Sequence, residues 1–270
     1  MVLAVVVLSG CLASSLLPSV PPASPNQQAS SQTGIKATEG MQVVGGIEAT
    51  RDVQAVLAKM REALGGNQRL LDVKSLVVEG DRDGSFLSRR ILLPDRIQSK
   101  NAGASVINTF TLDGARYSQV PERDEATMAG AKKNTIKEFV TQSIVLLVRA
   151  PSVLKVRATL PKSGRAGALI VMFTSTGGFA VQVEVDPTTY TPQAYSYIGN
   201  LTEENCDEPP VVTSATRRVT FDEYRTFAGI RFPVVMTDTI TTPDGRAFPV
   251  PLRHSVIRVN EGVTEADFQK

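Results

Sequence analysis

Histidine is almost missing from this chain. Its 270 residues include one, His254, with two cysteines, Cys11 and Cys206, and no tryptophan. A zinc site built from imidazole and thiolate needs three or four such ligands, so no metal site is expected. Nucleophilic catalysis needs a base beside the nucleophile, and the single imidazole lies in a strand-like run, Leu252–Val259. No Gly-x-Ser-x-Gly is present, and no Gly-Lys-Ser/Thr comes after Gly177-Gly178 to make a phosphate loop. Carboxylate pairs such as Asp81/Asp83 and Asp222/Glu223 fall at turns or strand ends. The chain is therefore expected to have no catalytic residues and no cofactor. A net charge of +2 and scattered aromatics give no nucleic-acid partner and no base-stacking platform.

Charge is also missing from the start. No charged side chain precedes Lys36, and Met1–Leu17 is apolar while Pro18–Ser31 is rich in Pro, Ser and Gln. Residues 1–35 read as a secretory signal and then a disordered tether, although no basic residue precedes the apolar run. The run is too short and too interrupted for a membrane span. Within it, Leu8-Ser9-Gly10-Cys11 is similar to a bacterial lipobox, which implies lipid attachment at Cys11. The alternative is a plain cleavable signal in which Cys11 is incidental.

Antiparallel strands organise the rest of the chain. The run Ala168–Ser175, the pair Gly177-Gly178 and the run Phe179–Val185 predict a hairpin. Leu169, Val171 and Phe173 share one face, with Ile170 and Met172 on the other; Val181 and Val183 continue the apolar face after the turn. Asp83-Gly84, Asp113-Gly114 and Asp244-Gly245 each separate two further β-rich runs. Four such turns predict a meandering antiparallel sheet. Pro249 and Pro251 are expected to shorten their strand or push it to an edge. Thr202–Pro210, acidic around Cys206, reads as an irregular, solvated loop.

One helix precedes the strands and a second interrupts them. Over Thr50–Leu64, Val53, Val56, Leu57, Met60 and Leu64 fall on one stripe, and Gly65-Gly66 ends it. Over Asp124–Arg149, Ile136, Phe139, Val140, Ile144 and Leu147 share a face, and Pro151 ends the run. The default for this helix is packing onto the sheet; the functional alternative is a lid over a cavity.

The segment Phe221-Asp222-Glu223-Tyr224-Arg225, continued by Gly229-Ile230-Arg231-Phe232-Pro233, resembles a hairpin of the bacterial outer-membrane lipoprotein carriers and receptors, the LolA/LolB-like proteins. Ala63-Leu64-Gly65-Gly66, Val73-Lys74-Ser75-Leu76 and Leu92-Leu93-Pro94-Asp95-Arg96 are similar to their opening segments. The resemblance spans roughly Val53–Phe268. It implies an α+β fold: an unclosed antiparallel half-barrel wrapped around an N-terminal and a mid-chain helix, as a single domain over residues 50–268. It also implies a concave face that shields acyl chains of lipids or lipoproteins, for which Leu169, Val171, Phe173, Val181 and Val183 are the candidate lining. A soluble carrier has no lipobox, so Cys11 favours the anchored receptor type. The expectation is a periplasmic protein joined to the outer membrane only by its lipid. The alternative on the same scaffold is an envelope sensor or assembly module that binds a protein partner.

Overall fold

A computed structural model describes residues 48–102, 107–113, 116–120, 122, 128, 144–149, 156–160, 169–175, 180–205 and 208–269. Cys11, the 1–35 segment, Ile136, Phe139, Val140, Gly177-Gly178 and Cys206 lie outside the described residues.

The strands are β1 (Ser75–Arg82), β2 (Ser85–Leu92), β3 (Arg96–Ala102), β4 (Ile107–Asp113), β5 (Arg116–Val120), β6 (Val156–Thr159), β7 (Leu169–Ser175), β8 (Ala180–Val185), β9 (Pro192–Asn205), β10 (Glu208–Phe227), β11 (Ile230–Thr241) and β12 (Ala247–Val259). They form one antiparallel sheet in the order β5-β4-β3-β2-β1-β12-β11-β10-β9-β8-β7-β6. Sheet neighbours are chain neighbours throughout, except where β12 returns beside β1, and the consecutive strands β5 and β6 form the two opposite edges. Asp83 at φ 49 and Gly84 at φ 75 supply the left-handed residues that a tight β1–β2 turn requires. Ala228 and Gly229, at φ 49 and 76, do the same between β10 and β11.

The sheet is an unclosed half-barrel, and packing is what bends it. From β3, third in the order, to β7, eleventh, a flat sheet would span roughly 38 Å at its usual strand spacing. Yet Ile97 of β3 and Phe173 of β7 belong to one hydrophobic core with the helices. The sheet must curl for a single helical layer to cover both ends. That layer contains α1 (Glu48–Ala63), α2 (Asn67–Leu71) and α3 (Ile144–Arg149). Helix α1 buries Val53, Leu57 and Met60 at the predicted spacing, and Leu64 just beyond it. Of the expected 124–149 helix, Met128 is helical and α3 forms the end; the rest lies outside the described residues.

Two local expectations are corrected. Thr202–Pro210 is no irregular loop, because β9 runs to Asn205 and β10 starts at Glu208, with the two strands paired. Backbone pairing overrides the acidic, Pro-rich composition there. Pro249 and Pro251 do not shorten β12, a thirteen-residue strand that lies between β1 and β11. Its pairing with β1 stops at Leu252, opposite Arg82, where β1 turns into β2. Both prolines lie on the stretch beyond, where β11 is the only paired strand; Pro251 turns its carbonyl away from β11 to accept from the Asp83 N–H at 3.1 Å, so the N–H missing on that side breaks no bond to β11.

Candidate functional site

The register assigns the inner face strand by strand. Val78 of β1 stands opposite Arg89 of β2 and Ile257 of β12; Arg82 stands opposite Leu252, and Leu252 opposite Met236 of β11. Met236 faces Phe221 of β10, and Val219 faces both Asp238 and Tyr195 of β9. The same face continues through Val183 of β8 to Val171 of β7. The candidate lining residues all belong to it. Val171, Phe173, Val181 and Val183 are fully buried in the core with α1 and α3, and Leu169 packs against that core. Ile144 and Leu147 of α3 are buried there too.

The middle of this face is built differently. On five adjacent strands, one inward position in an apolar row carries a polar group: Arg89 on β2, Arg82 on β1, His254 on β12, Asp238 on β11 and Arg217 on β10. Asp238 sits between Met236 and Ile240, and Arg217 between Ala215 and Val219, all buried. These five groups and the apolar side chains around them, Ile144 of α3 among them, line a cavity of about 30 Å³. That is room for one or two waters.

Asp238 is the hub. It is 1% exposed and accepts from Arg82 Nη2 at 2.7 Å and from the Arg217 guanidinium, which also reaches Oδ1 with Nε at 3.4 Å. Burial pushes its carboxyl up, but the Arg217 and Arg82 charges outweigh that and hold it below the usual range. The Arg217 guanidinium also lies 5.6 Å from the centre of the Tyr197 ring. Gly199 leaves space for its stem: a Cβ there would stand 3.1 Å from Arg217 Cδ.

His254 is neutral. Burial, then the nearby Arg89 charge, push its pKa down to about 3. Nδ1 lies 3.2 Å from the Pro233 carbonyl oxygen, which can only accept, so Nδ1 carries the proton. Nε2 is then an acceptor, buried and without a hydrogen-bond partner among the described residues. Gly80 makes this placement possible. It pairs with His254 at a β-bulge, and a Cβ there would fall 1.9 Å from the Arg253 carbonyl oxygen.

This cluster is not apparent from the sequence. Its one signal there is a charged or imidazole side chain at an inward position of an alternating strand. The convex face holds ordinary ion pairs by contrast, such as Arg218 bidentate to Glu184 at 2.9 and 2.7 Å. Among the described residues no group of His, Cys, Asp and Glu is placed to hold a metal. No helix among them is long and apolar enough to cross a membrane.

Helix α3 covers the apolar side of the cavity. Polar ties hold its C-terminal end: Arg61 of α1 donates to the Val148 carbonyl at 3.3 Å, and Arg149 donates to the Leu71 carbonyl at 2.6 Å.

No protein-family model and no curated protein matches the chain. Among solved structures it is similar to the LolA superfamily protein NE2245 from Nitrosomonas europaea, with 9% identity over 81% of this chain and 97% of that one, at a TM-score of 0.41. It is also similar to the complex of MucA and MucB from Pseudomonas aeruginosa, with 11% identity over 78% of this chain and 100% of that one, at a TM-score of 0.21. The resemblance to LolA-like proteins thus recurs, at a level that carries no argument about residues or ligands.

Proposed function

We propose that this is an exported binding protein, not an enzyme, which takes up acyl chains of lipids or lipoproteins on the concave face of its sheet. In this reading it faces the periplasm and is held at the outer membrane by a lipid on Cys11. The observation that carries it is one hydrophobic core on the inner face of the sheet, reaching from Ile97 of β3 to Phe173 of β7 and covered by a helix with polar ties at one end. A ligand gains roughly 0.8 kcal/mol per methylene buried against such a face. A cavity of about 30 Å³ is too small for an acyl chain, so α3 must move off the sheet for loading. Titration of the purified protein with a fluorescent fatty acid tests this: saturable, one-to-one uptake is expected, and its absence overturns the reading. The Cys11→Ser variant is expected to leave the membrane fraction for the soluble one.

A second reading, binding of an envelope protein, draws on the β9–β10 hairpin. Among the described residues, β8 pairs with β9 only as far as Tyr197, and β11 with β10 only as far as Thr216. Beyond those points β9 and β10 stay paired with each other out to Asn205 and Glu208, and Ile198 is 57% exposed. Cross-linking in envelope extracts through a photoreactive residue at Ile198 tests it. A stoichiometric protein adduct formed without lipid uptake would favour this reading.

A further inference from the structure

Helix α3 forms the roof of the small cavity. Of the described residues that line it, Ile144 alone does not belong to a strand. The polar ties of α3 lie at the far end of the helix, where the Val148 carbonyl accepts from Arg61 and Arg149 reaches the Leu71 carbonyl. In the wall below, His254 gives its Nδ1 proton to the Pro233 carbonyl, and Nε2 is buried with no hydrogen-bond partner among the described residues. A proton on Nε2 would place a charge against apolar packing. The charged groups that border the same cavity are Arg89 from β2, Arg82 from β1, Arg217 from β10 and Asp238 from β11. Asp238 is already engaged by Arg82 and Arg217, and the Arg89 charge opposes a second one on the ring. From β9 the cavity receives Tyr195 and Tyr197, and α3 carries no titratable group over 144–148.

We propose that His254 makes the seating of α3 sensitive to acid: the helix lies on the sheet while the imidazole is neutral, and a proton taken from solvent by Nε2 favours a state in which the Ile144 end has lifted and water reaches the ring. The proposal rests on the movable α3 of the acyl-binding reading above and adds the condition under which it moves. The coupling is thermodynamic. In the seated state, burial and the Arg89 charge push the imidazole pKa down to about 3, whereas a hydrated ring titrates near about 6.5. Below about pH 6.5 the lifted state therefore binds a proton that the seated state refuses, and its population rises as pH falls. Well above that pH both states hold the neutral ring and the effect vanishes.

Hydrogen exchange of the native full chain without ligand, corrected for the intrinsic pH dependence of amide exchange, tests this at about pH 7 and 5. The opening constant of α3 (Ile144–Arg149) is expected to rise at least about tenfold, with these amides less protected than those of β8 at both values. In His254→Gln, whose side-chain amide still has a donor for the Pro233 carbonyl, opening is expected to be the same at both values. Because His254 is the only histidine in the chain, its ring signals are followed by NMR in the native protein. A second, protonated set is expected to grow as pH falls while the seated set does not titrate. Equal opening of α3 at both pH values overturns the acid sensitivity and leaves acyl binding standing. Equal protection of α3 and β8 means that α3 leaves only in global unfolding, which overturns the switch and the loading route together. Native pH dependence in His254→Gln assigns the effect to another group and overturns the role of His254. Should that variant fail to fold, the ring signals decide: one set titrating near pH 6.5 with α3 seated overturns the proposal.

Discussion

Two parts of the concave face share one sheet and one register but obey different rules. Near the β7–β8 end, Val171, Phe173, Val181 and Val183 are packed to zero exposure in the core shared with the helices. On the middle strands β2, β1, β12, β11 and β10, the inward rows carry Arg82, Arg89, Arg217, Asp238 and His254 around a small cavity. The first part is held by area removed from water, which is non-directional and tolerates swaps of equal volume. The second is held by charge partners that fail when one is lost.

Substitution separates the two parts most sharply. Asp238→Ala leaves Arg82 and Arg217 buried without their shared carboxylate, and is expected to cost about 3–5 kcal/mol in urea unfolding. Replacing the triad together, with Arg82→Met, Arg217→Leu and Asp238→Leu, should restore stability to near native or above it. In the apolar part Phe173→Ala is expected to cost about 3–5 kcal/mol through cavity formation, and no loss of charge repairs it. If the triple variant is as damaged as Asp238→Ala, the polar part is structural and the contrast fails.

Acid divides the two parts next. Between pH 6.5 and about 3 the unfolded chain protonates His254 while the folded chain refuses the proton. Stability should therefore fall as pH drops below about 6.5, by roughly 1.4 kcal/mol per unit from this group. His254→Leu should flatten that slope in urea titrations at about pH 6.5, 5.5 and 4.5, while Val183→Ala should lower all three values equally. Gly80→Ala, which drives a Cβ into the Arg253 carbonyl beside His254, is expected to cost about 1–3 kcal/mol. The smallest effect belongs to the convex face. Arg258→Ala breaks a part-exposed pair with Glu79 and should cost less than about 1 kcal/mol.

Much of the fold is legible in order along the chain. Alternation with Asp-Gly turns announces the strands, and the stripe from Val53 to Leu64 announces α1, because both periods are local. Pro249 and Pro251 mislead because a proline is barred only where its N–H is needed, and that depends on where β1 ends. Thr202–Pro210 misleads because its acidic residues decorate a ribbon paired through the backbone. The polar cluster is illegible for a different reason. Arg82 and Arg217 are far apart in sequence, and each reads as a solvated residue until the strand's inner face is known.

The amino-acid order alone determined helix α1, the β1–β2 hairpin and which alternate residues would be apolar, since those depend on neighbours a few positions away. Only the folded sheet decided that the trough is filled, and that five scattered polar residues meet on its inner wall. Both depend on register and curvature, which arise when β12 returns beside β1 and one helical layer must cover both ends.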